Sequence, residues 1–349
     1  MLVEIKYDDP GCQSFNNSLD EEGSISIAGF SAMPSRILFE MDFEAYKQEL
    51  LDFKEQEFEE LKNSVYNYYP SCVAYNFRLS EKGEGASDPV RKLLHLKDTW
   101  ESIVFIIYGI VWGEVRFKNI NLKSCRPFKQ FDTLNNPIYE SFSSKRLLSD
   151  ALKIKIQNIK SIVEFSKSNN LNLKCEQIPI DLFDKLLELQ DIRNDISHHA
   201  TPTKEQAEEE LRIIIPLFQE MLLESKFLEE VKILRFENHG SKSKCEVFNG
   251  HALNKEYEDF DFGVQQGYVL SLGQENLFIE WDSEIFCLSP FLHFDKDMTG
   301  HESYLAFYKR KKENKYWFEP IKIRTEKSFD HLTSRFEIEK DALINLIVP

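Results

Sequence analysis

Residues 189–199, LQDIRNDISHH, combine an arginine, an asparagine and a histidine whose types suit acid–base chemistry on a phosphate. Histidine has a pKa of about 6.5, so His198 can accept or donate a proton at neutral pH. Arg193 offers a fixed fork of charged donors for phosphoryl oxygens. Asn194 lies four positions before His198 and shares its face on a helix. We therefore treat Arg193, Asn194 and His198 as candidate catalytic residues, with Asp195 and His199 as candidate supporting residues.

The spacing of Arg193 and His198 decides how the two side chains can meet. Five positions place them about 140° apart around an α-helix, so they do not stack on one regular face. They converge if the helix ends near His198, where the following Thr-Pro pair at 201–202 predicts a break. The next helix then begins in one of two ways. Either Thr201 caps it with the proline in its first turn, or Thr203 and Gln206 form a capping box.

Four helices are predicted around this stretch from apolar periodicity. The first follows Pro89, the second covers residues 144–170, the third follows Pro179 and carries the motif, and the fourth begins after the break. Their core faces are predicted as Leu93, Leu96, Trp100, Val104, Ile107 and Val111; Leu148, Leu152, Ile156, Ile159 and Val163; Leu182, Leu186, Leu189, Ile192 and Ile196; and Ala207, Leu211, Ile214, Phe218, Met221 and Leu222.

This arrangement resembles the HEPN superfamily, in which a helical bundle carries an Arg-x4–6-His motif at the end of a later helix. The resemblance covers roughly residues 89–236, through Arg193, Asn194 and His198. It implies a four- to five-helix all-α bundle and a metal-independent endoribonuclease without a cofactor, whose site forms across a homodimer. It also implies the roles: His198 as acid or base, Arg193 on the phosphate, and Asn194 orienting by hydrogen bonds. The family's habits further imply a toxin or antiviral effector held by an antitoxin or regulatory protein.

One departure from the family and two other interpretations bear on this expectation. In one HEPN toxin subgroup the motif extends to a tyrosine that a partner enzyme modifies, and here that position is Ala200. The chain could instead be a non-catalytic HEPN-like scaffold for dimerisation, with a β domain that senses a partner or ligand. In the third interpretation the helical domain is unrelated to HEPN, and Arg193 and His198 are structural. They would then be ordinary surface residues with a nearby acidic partner, for which Asp191 and Asp195 are available.

The flanking segments differ in pattern, so the chain is predicted to be a multidomain α+β protein. Residues 1–88 form a small mixed α/β module and linker, in which EGSISIAGF and SRILFEMDF alternate as short strands do and an acidic helix follows. Residues 89–238 form the HEPN-like bundle. Residues 239–349 contain short aromatic-rich runs broken by Gly, Asp, Asn and Pro, which predict a β-rich domain.

Bulk composition narrows the function classes. The net charge of −16 argues against broad binding to a phosphate backbone and leaves only a confined cationic site for nucleic acid. The six cysteines form no CxxC pair, so a zinc ribbon or a thioredoxin-like site is unsupported. No secretory signal or membrane span is predicted, which indicates a cytoplasmic protein with reduced thiols and no membrane partner. No HExxH, P-loop or dinucleotide fingerprint and no metal-ligand spacing occurs.

Two basic segments are weaker candidates for contacts with an RNA substrate. The second helix carries Lys153, Lys155 and Lys160, and a basic turn between aromatic runs carries Arg310 and Lys311. Cations beside aromatic rings suit single-stranded nucleic acid. Solvated helix and hairpin faces have the same composition, so both interpretations stay open at this point.

Overall fold

The chain mixes α-helices with several small β-sheets, in agreement with the predicted α+β class. The computed structural model describes residues 5–27, 30–197, 202–239, 242–251, 256–259, 263–272, 276–296, 303–320 and 325–348. The helices are α1 (Gln13–Leu19), α2 (Pro34–Met41), α3 (Phe43–Tyr68), α4 (Ser71–Lys82), α5 (Pro89–Phe117), α6 (Ser144–Leu147), α7 (Leu152–Asn169), α8 (Ile180–Ser197), α9 (Lys204–Glu224), α10 (Gln266–Leu272) and α11 (Thr333–Ile347). The strands are β1 (Ile25–Ile27), β2 (Phe30–Ala32), β3 (Phe128–Phe131), β4 (Pro137–Tyr139), β5 (Val231–His239), β6 (Lys242–Val247), β7 (Glu256–Asp259), β8 (Leu277–Trp281), β9 (Glu284–Cys287), β10 (Leu292–Lys296), β11 (Ser303–Lys312), β12 (Lys315–Pro320) and β13 (Lys327–Ser328).

The chain divides into two compact units, Met1–Asn63 and Ser64–Pro349. In the first unit, helices surround a small aromatic core. Phe15 and Tyr46 are buried there and meet edge to face, with ring centroids 5.3 Å apart. The Tyr46 hydroxyl donates to Asn16 Oδ1 at 2.7 Å, so its polar end is satisfied inside the core.

The predicted strand in SRILFEMDF is wrong, because these residues belong mainly to helix α2. Pro34 lies in the first turn, where its missing N–H removes no hydrogen bond and its fixed φ suits a helix. Arg36 Nε donates to Glu40 Oε1 at 2.6 Å, one turn further on. A short alternating run is compatible with either structure, and the proline was the signal that separates them. The preceding segment does form the hairpin β1–β2.

Helix α5 is the centre of the second unit. Its predicted stripe is buried, and so are the residues on its other faces between Ile103 and Val115. It packs against α4, α7 and α9 on one side and against β9, β10 and α11 on the other. The Asp88 side chain caps its first turn by accepting from Val90 N and Arg91 N. Because both sides are covered, α5 connects the helical layer to the sheets.

Two glycines let α5 approach the strands closely. A Cβ at Gly113 would lie 2.6 Å from the Cys287 carbonyl oxygen, and one at Gly109 would lie 2.2 Å from Leu292 Cδ1. The Cys287 carbonyl belongs to the backbone of a paired strand and cannot move aside, whereas the Leu292 side chain can adopt another rotamer. We expect Gly113→Ala to lower the free energy of unfolding by about 2–3 kcal/mol. Gly109→Ala, with the same gain in helix propensity, is the matched control and should lower it by less than about 1 kcal/mol. Equal urea midpoints for the two variants would contradict this account of the packing.

The helical layer consists of α4, α5, α7, α8 and α9, which pack pairwise. The second predicted helix is two helices in the structure, the short α6 and the longer α7, with residues 148–151 between them outside either helix. The Ser143 hydroxyl caps α6 by accepting a hydrogen bond from Arg146 N. Helix α9 begins with the capping box of Thr203 and Gln206, which settles the two alternatives for its start. Its core face is buried as predicted, and so are Leu182, Leu186 and Leu189 of α8, whereas Ile192 is half-buried.

Two antiparallel sheets account for most of the predicted β-rich segment. One has the strand order β7-β6-β5-β8-β9 and the other β10-β11-β12-β13. Strand β5 begins at Val231, before the predicted border at residue 239, and the unpredicted helix α11 packs Phe336 on Tyr316 with ring centroids 3.8 Å apart. Whether the segments 1–88, 89–238 and 239–349 fold independently stays a prediction.

All six cysteines are buried and free. None of the helices in the described ranges combines the length and the apolar character that crossing a bilayer requires.

Candidate functional site

Helix α8 carries three of the five candidate residues in its last turns. Arg193, Asn194 and Asp195 belong to its helical backbone, which the structure describes through Ser197. His198 and His199 lie outside the described residues, so their prediction is not tested. The 3₁₀ turn Lys174–Gln177 before α8 is tied to α5 by the buried Glu114 carboxylate, which accepts from Lys174 N at 2.5 Å and Cys175 N at 2.9 Å. The start of α8 is thereby fixed.

The helical register places position 193 on the core-facing side of α8. At about 100° per residue, this position lies in line with Leu186 and Leu189, which are fully buried, and one turn after the buried Gln190. Positions 191 and 195 are two residues away and therefore fall on the opposite side of the helix. The pairing of Arg193 with Asp191 or Asp195, expected for a plain surface arginine, has no support from this register.

Asp191 has a different partner in the structure. Its carboxylate accepts from Lys153 Nζ at 2.9 and 3.1 Å. Lys160 of α7 pairs with Asp184 at 2.5 Å, and Lys185 pairs with Glu220 of α9 at 2.5 Å. The two pairs that join α7 to α8, Lys153–Asp191 and Lys160–Asp184, run antiparallel, so the last turns of α8 lie beside the N-terminal end of α7. Each pair is partly exposed and contributes little to stability.

A cavity of about 380 Å³ opens beside Gln190, one helical turn before Arg193. Its charged lining comes from α5, from the start of α7 and from strands β11 and β12. The lysines are already paired: Lys97 with Glu101 at 3.7 Å, Lys309 with Glu319 at 2.7 Å, and Lys153 with Asp191. The charged and amide side chains of the lining are Lys97, Asp98, Glu101, Asp150, Lys153, Gln190, Lys309 and Glu319. This lining has no excess of positive charge.

The residues predicted to contact RNA are found in three different settings. Lys153 and Lys160 lie at the outer side of α7 in the ion pairs described above. Arg310 pairs with Glu326 at 2.8 Å, and Lys311 pairs with Glu337 at 2.9 Å. The prediction that Lys155 contacts RNA is wrong, because its side chain is only 1% exposed and cannot share a surface with Lys153. The structure thus does not join these residues into one basic path.

Lys155 lies among three aromatic rings. Its ammonium is 4.7 Å from the ring centroid of Tyr108, 5.5 Å from that of Tyr308 and 5.7 Å from that of Phe105. Within the described residues it makes no ion pair. Burial, with a smaller contribution from the charge of Lys309, lowers the pKa of Lys155 to about 7. A cation–ring contact offsets only part of the cost of removing an ammonium from water.

Gln190 and Asp150 line the cavity of about 380 Å³, but neither was among the site residues predicted from the sequence. The sequence could have indicated Gln190, because it is a polar residue on the apolar face of α8 directly before the motif. The sequence did not indicate Asp150, because its position in the cavity depends on the conformation of the segment between α6 and α7. In the described part of the chain, no group of three or more His, Cys, Asp or Glu side chains could hold a metal ion.

Comparisons with known proteins found no matching family model, no similar curated protein and no similar solved structure. The functional argument for this chain therefore depends on its own residues.

Proposed function

We propose that this chain is an HEPN-type, metal-independent endoribonuclease of the cytoplasm, acting as a toxin or antiviral effector. The observation that supports the proposal best is the placement of the motif. Arg193 and Asn194 lie in the last turns of helix α8, which belongs to a layer of five packed helices, and helix α9 begins at Lys204 with its own cap. Position 193 is in line with Leu186 and Leu189 of α8 and away from positions 191 and 195, so the register does not favour a pairing of Arg193 with either aspartate.

The proposed chemistry uses only groups that the motif supplies. The 2′-oxygen of a ribose attacks the adjacent phosphorus, the bond from phosphorus to the 5′-oxygen breaks, and a 2′,3′-cyclic phosphate and a 5′-hydroxyl result. His198 takes the proton of the 2′-hydroxyl or gives one to the departing 5′-oxygen. Arg193 neutralises the phosphoryl oxygens, and Asn194 orients by hydrogen bonding. In this proposal a homodimer supplies the second half of the site, and a regulatory protein restrains the activity.

Incubation of the full chain with RNA in EDTA tests this function. We expect cleavage that survives chelation, because no step needs a metal ion, and products that end in 2′,3′-cyclic phosphate. End-group analysis by phosphatase and kinase treatment identifies those ends. Loss of activity in EDTA, or products with 3′-hydroxyl ends, would contradict the proposed mechanism.

One observation favours the second candidate, a non-catalytic HEPN-like scaffold whose β-rich part senses a partner or ligand. The cavity next to the motif has no excess of cations, and the lysines that line it are paired. A substrate with a phosphate at every residue meets little attraction there. Absence of cleavage by a purified, folded dimer would favour this candidate.

A further inference from the structure

A second cavity lies where helices α6 and α7 meet the hairpin β3–β4 and strand β11. It measures about 700 Å³, within the range of small-molecule sites. We call it the cationic cleft, because five basic side chains and only two acidic ones line it in a protein of net charge −16. The basic residues are Lys129, Lys145, Arg146, Arg310 and Lys311, and the acidic ones are Glu140 and Asp150.

Arg146 builds the wall of the cationic cleft. Its guanidinium is buried and donates to Asn158 Oδ1 at 2.6 Å, to Glu140 Oε1 at 2.5 Å and to the Phe128 carbonyl oxygen at 2.8 Å. These bonds join α6 to α7 and to the hairpin β3–β4. The cleft is therefore held in shape by the protein's own contacts and does not need a ligand to form it.

Four cations are left at the rim, on three separate elements. Lys145 is exposed and has no acidic partner within the described residues. Lys129 is 3.5 Å from Glu140, a carboxylate that also serves Arg146. Arg310 and Lys311 have partners, but their side chains are 49% and 37% exposed, and such surface pairs are exchanged at little cost. The rim thus presents donors that an anion can recruit.

The floor of the cleft differs from its rim. Leu148 and Ile154 are half-buried there, and the buried Tyr308 also lines the cavity. An apolar floor beneath a cationic rim suits a ligand with a flat, weakly polar part and several negative charges. We propose that the cationic cleft binds a small phosphate-bearing ligand of the nucleotide class.

A compact ligand fits better than a strand of RNA. The cleft and the cavity beside Gln190 share Asp150, so a strand running from the motif to the cleft would pass that second lining. Four carboxylates face three lysines there, which opposes a chain of phosphates. This inference does not depend on ribonuclease activity.

Calorimetric titration of the full chain with ATP, AMP and inorganic phosphate in EDTA tests the assignment. We expect ATP to bind tightest and phosphate weakest, because only nucleotides reach the floor. Lys145→Ala and Arg310→Ala should each weaken ATP binding about tenfold, the effect of removing one charged hydrogen bond. Lys312→Ala, on the same strand but outside the lining, is the control and should leave the affinity unchanged. Circular dichroism checks that each variant is folded.

Three results would overturn the proposal. One is the absence of saturable binding of either nucleotide, and another is ATP binding that neither Lys145→Ala nor Arg310→Ala weakens. The third concerns a 2′-O-methyl RNA 12-mer, which has no attacking hydroxyl. If this oligomer binds more tightly than ATP and loses affinity in the same variants, the cleft is a path for RNA and not a site for a compact ligand.

Discussion

RNA cleavage by the full chain should fall by about two to four orders of magnitude when His198 is replaced by alanine, the range that one general acid or base supplies. Arg193→Lys should also lower the rate strongly, because lysine keeps the charge but loses the fork that holds two phosphoryl oxygens. Initial rates on a short labelled RNA in EDTA measure both effects. Circular dichroism shows whether the helices persist in each variant.

Asp191→Asn is the matched control for these variants. It lies two residues from Arg193 but on the opposite side of α8, and its carboxylate is bound to Lys153 at the surface. Removing its charge should leave the cleavage rate within about twofold of wild type, because a partly exposed pair contributes little. If Asp191→Asn impairs cleavage as much as Arg193→Lys does, Asp191 acts on the motif, which contradicts its placement on the side of α8 opposite to Arg193. If His198→Ala cleaves like wild type, His198 is not the acid or base.

Local signals were sufficient for the helices that hold the motif. The start of α5 follows from Asp88 and Pro89, because caps act within one turn of the chain. The start of α9 is one of the two that the sequence allows, the capping box of Thr203 and Gln206. The break between α6 and α7 was missed although Ser143 is a good cap for a short helix. The apolar spacing on both sides of the break fits one continuous helix, so periodicity alone does not reveal it.

Lys155 shows a signal that was present in the sequence and was read incorrectly. It lies two positions after Lys153, and residues two apart on a helix do not share a face. Lys155 lies three positions after Leu152 and four before Ile159, and this spacing puts it beside these two members of the buried stripe. Counting it with the basic residues of α7 ignored this geometry.

The cavity beside Gln190 and the cationic cleft were beyond sequence analysis for a different reason. Their linings join α5, α6 and α7 to strands more than a hundred positions further along the chain. Such contacts depend on how α5 packs between the helical layer and the sheets, which no local pattern encodes. The surroundings of the motif were therefore not predictable from the sequence, and the chemistry of the motif stays a prediction.

Lys155→Met should make the protein more stable at neutral and mildly acidic pH. The wild-type ammonium is buried without an ion pair among the described residues, and its pKa falls from 10.5 to about 7. At about 1.4 kcal/mol per pKa unit, this shift corresponds to a cost on the order of 5 kcal/mol. Methionine has a similar length and no charge, but it loses the contacts of the ammonium with the rings of Tyr108 and Tyr308. We expect a net gain of roughly 2–4 kcal/mol at pH 6, from urea unfolding.

The pH dependence of this gain separates a buried charge from simple repacking. Between pH 7 and 10.5 the unfolded chain binds a proton at Lys155 that the folded chain has lost, so wild-type stability rises with pH in this window. Lys155→Met lacks this contribution, and its advantage should shrink toward zero as the pH approaches 10. Asp150 and Lys309, the charged groups that act on Lys155, are present in both proteins, so their titration largely cancels in the difference. The neighbouring Tyr108 and Tyr308 have pKa values raised by burial and stay protonated when folded.

Two outcomes of the same titration would contradict this account. If the difference in unfolding free energy is constant from pH 6 to pH 9.5, Lys155 does not lose its proton in that window. If Lys155→Met is less stable at every pH, the rings of Phe105, Tyr108 and Tyr308 stabilise the ammonium by more than its burial costs. If Lys155→Met is more stable below pH 7, as we expect, Lys155 is a destabilising residue between two cavities. Its ammonium lies near Tyr308, which lines the cationic cleft, and near Phe105, which lines the cavity beside Gln190.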